Sequence, residues 1–88
     1  LMEMKLRAFD RDGNVVNTLV KWVPDVSHVR AYVQCQRNNP RTVAVQYNVE
    51  GIIYPAVYFP DGVEPYEPDT SVFNVYYNPQ EIMSRTVQ

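Results

Sequence analysis

Eighty-eight residues, 45% apolar and 20% charged, make a single modest domain with no internal repeat, and no stretch nears the ~20 consecutive apolar residues that cross a bilayer. The net charge of -2 divides into a basic half, residues 1–49 with seven bases against four acids, and an acidic half, residues 50–88 with six acids against Arg85. One cysteine, Cys35, and one histidine, His28, exclude an internal disulfide and a cysteine–histidine metal cluster, which makes the reducing cytoplasm the expected compartment.

The opening residues, Leu1-Met2-Glu3-Met4-Lys5, lack the apolar stretch and small-residue cleavage site of a signal peptide, and Met2 and Met4 both read as candidate starts. Asp10-Arg11-Asp12-Gly13-Asn14 raises the question of a calcium loop. An EF-hand loop begun at Asp10 needs glycine at its sixth place and glutamate at its twelfth, where this chain has Val15 and Lys21. A hairpin fits better. With Asp12-Gly13-Asn14 as a three-residue loop, Met4 faces Trp22, Leu6 faces Val20 and Ala8 faces Thr18 on one apolar side. A two-residue loop pairs Glu3 with Trp22 and Lys5 with Val20, mixing charge into both faces, so the longer loop is expected.

After Pro24-Asp25, the stretch from His28 to Gln36 alternates strictly: Val29, Ala31, Val33 and Cys35 against His28, Arg30, Tyr32, Gln34 and Gln36. Strand is the expectation, with a helix over about 25–38 as the alternative, since Val26, Val29 and Val33 also keep helical spacing. Thr42 to Val49 alternates equally well. Pairing the two across Arg37–Arg41 sets Cys35 against Val43, Val33 against Val45 and Ala31 against Tyr47, and leaves His28 beside Glu50 and Arg30 beside Asn48 on a solvent face. Glu50-Gly51 is a tight turn. It leads into a strand from Ile52 to Phe59 whose Pro55 marks an edge or a bulge. Residues 60–70, PDGVEPYEPDT, form an acidic, proline-stiffened loop. A last strand over 71–77 and a short helix over 79–87, begun by Asn78-Pro79 and supported by Glu81 four residues before Arg85, complete the chain. The expected fold is all-β, a small antiparallel barrel or sandwich of about six strands with a C-terminal helix, and α+β is the alternative.

Catalytic features are lacking. Ser27 and His28 are neighbours on a predicted strand and point to opposite faces, Cys35 falls on a buried face, and Gly13, Gly51 and Gly62 stand alone in turns. A non-enzymatic protein with no cofactor and no metal is expected. Two binding surfaces are. The first is the acidic, aromatic stretch of Tyr58, Phe59, Glu64, Tyr66, Glu67 and Asp69 beside the Pro55 edge, suited to another protein or to a second copy by strand addition. The second, less favoured, is a basic face of Arg30, Tyr32, Arg37 and Arg41 for single-stranded nucleic acid, cations following phosphates while the ring stacks a base. Compact, motif-free chains are frequent among virus-encoded accessory and structural proteins, and that frequency alone raises such a role here.

Overall fold

The computed structural model describes residues 1–68. They form strand β1 (Met2–Phe9), strand β2 (Val15–Val23), helix α1 (Val26–Cys35) with a 3₁₀ turn after it (Gln36–Asn38), strand β3 (Ala44–Val49) and strand β4 (Ile52–Tyr58). The chain is mostly β: the four strands make one antiparallel sheet in the order β2-β1-β3-β4, with the helix laid across one side. This sheet is open, with β2 and β4 as its edges, so the described residues form neither a six-stranded barrel nor a sandwich. The strand expected at 71–77 and the helix at 79–87 lie outside the described residues.

The first hairpin turns one residue earlier than predicted. The Asp10 N–H donates to the Asn14 carbonyl at 2.9 Å and the Asp10 carbonyl accepts from the Gly13 N–H at 3.0 Å, which leaves Arg11-Asp12-Gly13 as the loop. Gly13 takes the left-handed position at φ 85°, where a side chain on Asn14 would pay a steric cost. The Asp10 carboxylate fixes the turn by accepting from the N–H groups of Asp12 at 2.9 Å and Asn14 at 2.8 Å. Its pKa is lowered by the Asn14 backbone hydrogen bond first of all. A bulge between Ala8 and Phe9 makes Val16 an extra residue, and beyond it Glu3 pairs with Trp22, Lys5 with Val20 and Leu6 with Leu19. The Met4–Trp22 register is therefore corrected to the one that mixes charge and apolar groups. Turn chemistry decides, because β2 is apolar on both faces and hydrophobicity alone cannot choose between them.

Residues 26–35 are helix, which corrects the predicted strand and all its pairings with 42–49. Asp25 is the N-cap: its carboxylate accepts from the His28 N–H at 3.2 Å and from the Ser27 hydroxyl. From that start, His28, Val29, Ala31, Tyr32, Val33, Cys35 and Gln36 fall on the buried side. Tyr32 is 0% exposed, so the ring expected on a solvent face sits in the core. The helix covers Met4, Leu6 and Ala8 of β1, Leu19 and Val23 of β2, and Val45 and Val49 of β3. One buried polar bridge crosses this layer: the Asn17 amide donates to Gln36 Oε1 at 2.7 Å, and the Gln36 amide donates to the Tyr32 carbonyl at 3.1 Å.

The second half agrees with expectation at two points. Glu50-Gly51 is the tight turn between β3 and β4, with φ of 52° and 81°. Pro55 lies on an edge strand and at a bulge, because Val45 pairs with Val57 while Tyr47 pairs with Tyr54.

Candidate functional site

Ser27, His28 and Asp25 come together, yet as a helix cap. The Ser27 hydroxyl at 2.5 Å and His28 Nδ1 at 3.1 Å both meet Asp25 Oδ1, and no bond joins Ser27 to His28. The Ser27 hydrogen bond, then those of His28, holds the Asp25 pKa down at about 2. The predicted His28–Glu50 pairing is replaced by this contact, because a helix turns His28 toward its own cap. Cys35 is fully buried, as its apolar neighbours dictate. Among the described residues no group of three His, Cys, Asp or Glu side chains is placed to hold a metal ion, and no helix is long and apolar enough to cross a membrane.

The four residues of the predicted nucleic-acid face do not share a surface. Arg30 is exposed on the outside of α1, Arg41 is exposed before β3, and Tyr32 is buried between them and the sheet. Arg37 is half-buried; its Nη1 donates to Gln34 Oε1 at 2.7 Å and its guanidinium stands over the Tyr66 ring, 5.5 Å from the centroid. Tyr32 is no stacking platform.

The acidic segment is strapped to the body. The Asn38 side chain accepts from the Tyr66 N–H at 2.6 Å and donates to the Tyr66 carbonyl at 2.9 Å, imitating a strand neighbour. Arg11 and Asp61 form an exposed ion pair at its start. Phe59 and Tyr66 are half-buried and pack against the core cluster, whereas Tyr58 is 74% exposed and Glu64 and Glu67 face water. Asp69 lies outside the described residues.

Two surfaces stand out in the sheet itself. Strand β4 is bare: six of its seven residues are exposed, including Ile52, Ile53 (71%), Tyr54 and Tyr58. Tyr54 stacks on Tyr47, centroids 5.3 Å apart and planes 2° off parallel, and so props the helix-side flank of β4 without covering it. Among the described residues no element covers the side of the sheet away from α1. Val20 (54%) on β2 and Ile53 on β4 rim a shallow trough of about 260 Å³ lined by Lys5, Arg7, Gln46 and Asn48, and Trp22 (55%) stands exposed two residues further along β2. Arg7 is held there by Gln46 Oε1 at 3.2 Å and lies over the Phe9 ring at 5.8 Å. Sequence reasoning placed Trp22 and Val20 inside; the two-residue alternation of Thr18, Val20 and Trp22 against Glu3, Lys5 and Arg7 was the signal for this face.

Comparison with family models, curated proteins and solved structures finds no match to this chain.

Proposed function

We propose that the chain is a small non-enzymatic binding or assembly protein that engages another protein through β4 and the acidic Tyr- and Pro-rich segment following it. The observation that carries this reading is the exposure of β4. A strand normally repays its ordering by burying at least one face, and β4 leaves Ile52, Ile53, Tyr54 and Tyr58 in water. Tyrosine and isoleucine at the rim give large contact area at low rotamer cost. The strap that follows β4 adds exposed carboxylates at Glu64 and Glu67, on a backbone that Asn38 already orders, so little entropy remains to be lost on binding. The bulge at Pro55 interrupts the free rim of β4, which favours docking onto its side chains over a long added strand.

Photo-cross-linking from position 54 in the cell of origin tests this. The expected result is one dominant protein adduct, reduced about tenfold by Ile52→Lys with Tyr58→Ala, while the melting temperature moves by no more than about 2 °C because both side chains are exposed. Unchanged capture by the double variant places the site elsewhere. If no protein is captured and a fluorescent oligonucleotide binds at low salt through Lys5 and Arg7, the sheet is a nucleic-acid platform and the reading falls.

A further inference from the structure

The uncovered side of the sheet carries a pattern that fits itself. Along β1 this face runs Glu3, Lys5, Arg7, Phe9; beside Glu3 lie Trp22 and Glu50, and beside Lys5 lie Val20, Asn48 and Ile53. Glu50 is level with Glu3, since its N–H donates to the Glu3 carbonyl at 2.9 Å. Neither the Lys5 ammonium nor the Glu3 carboxylate is in an ion pair among the described residues. An acidic row thus abuts a basic one, with a large apolar side chain beside each.

We propose that this face pairs with the same face of a second copy, related by a two-fold axis that crosses the strands between the Glu3 row and the Lys5 row. Charge sets that register. An axis through Lys5 puts two ammonium groups against each other, and one between Lys5 and Arg7 sets cation on cation. The offset axis places Glu3 over the partner's Lys5, Trp22 over the partner's Val20, and Glu50 over the partner's Asn48, each contact occurring twice. Two sheets packed this way lie about 10 Å apart with strands within about 30° of each other, so the pair is a sandwich made from two chains. Only the Glu3 and Lys5 rows of the two copies overlap about this axis; two rows about 7 Å apart across four strands about 4.8 Å apart give roughly 250 Å² per copy, which makes the contact small and exchanging and its affinity weak. The helix-side flank of β4, with Ile52 and Tyr54, stays open. This inference rests on the reading above only in taking the chain as a binding protein.

Sedimentation equilibrium on the full chain from about 1 µM to about 1 mM tests it. The expected result is a shift from monomer to dimer mass. Glu3→Lys and Lys5→Glu each raise the dissociation constant about tenfold or more, because each substitution acts twice across the axis, and the combined swap restores it. Circular dichroism and the melting temperature check that each variant is folded. A chain monomeric at every concentration overturns the proposal, and so do single reversals that weaken a dimer the double swap fails to restore. A monomer that still cross-links to a cellular protein from position 54 overturns self-association and leaves the binding role standing; a monomer that cross-links to nothing overturns both.

Discussion

At the scale of single residues, polar side chains in this chain mainly serve the backbone. Asp10 looks like the first ligand of a calcium loop in the sequence, yet it and Asp25 are each spent on the N–H groups of their own turn or helix start. Both therefore bind a proton less readily when folded: the Asn14 backbone bond lowers the Asp10 pKa, and the Ser27 hydroxyl, with His28 second, takes Asp25 from 3.8 to about 2. A depressed carboxylate contributes stability that is fully present above its unfolded pKa and vanishes as pH falls through the folded one. The melting temperature is accordingly expected to hold from neutral pH to about 4 and then fall toward pH 2. Asp25→Ala lowers it by a few degrees at pH 7 and by much less at pH 2, where most of the carboxylate's contribution has been titrated away. Thermal melts of both proteins across that range check this; an equal difference at pH 7 and pH 2 removes Asp25 from the account.

At the scale of elements, the hairpin at 10–14, the Glu50-Gly51 turn and the Pro55 bulge were legible in the sequence because each depends on a residue with one dominant backbone habit. The stretch 26–35 was not. Val29, Ala31, Val33 and Cys35 alternate, but Val29, Tyr32, Val33 and Gln36 equally make one side of a helix, and a ten-residue segment carries too few periods to separate the two. Asp25 followed by Ser27 and His28 was the deciding feature, since a cap satisfies the N–H groups that a helix start leaves open. The candidate face was lost with the register: Trp22 and Val20 look like core until the turn is set by Gly13. Tyr32 tells the two architectures apart. In the helix its ring is fully buried in the cluster, so Tyr32→Ala is expected to cost about 3–5 kcal/mol, a large share of the stability of so small a domain, whereas Arg30→Ala next to it changes stability by about 0.5 kcal/mol or less. Urea unfolding of the two variants measures both, and Tyr32→Phe, which keeps the ring, is the control for folding. Near-equal midpoints for Tyr32→Ala and Arg30→Ala contradict a buried Tyr32.

At the scale of the whole molecule, an open four-stranded sheet has two rims and an uncovered side, and the chain treats them differently. Both rims are obstructed. On β2, the bulge at Val16 breaks the ladder and Lys21 sits on the helix side of the edge strand, where a neighbouring sheet has no room for a charge; on β4, Pro55 removes a donor and the bulge beside it bends the strand. Among the described residues the side away from α1 has no such device, since Trp22, Val20 and Ile53 stand exposed along the Glu3 and Lys5 rows. On the proposed reading, obstructed rims direct association to side chains and keep it finite, because a face is used up by one partner while a free rim can add strands without end. Pro55→Val tests the obstruction. Valine restores the missing N–H and suits a pleated strand, so the folded monomer is expected to gain or keep stability while the protein acquires a slow, concentration-dependent assembly that binds thioflavin T and survives addition of salt. Pro55→Asp, which leaves a charge on the same rim, is expected to stay free of fibres. If Pro55→Val and the unaltered chain behave alike over days at about 100 µM, the residue is there for the bulge alone, and the bulge rather than the missing N–H is what keeps the β4 rim from adding strands.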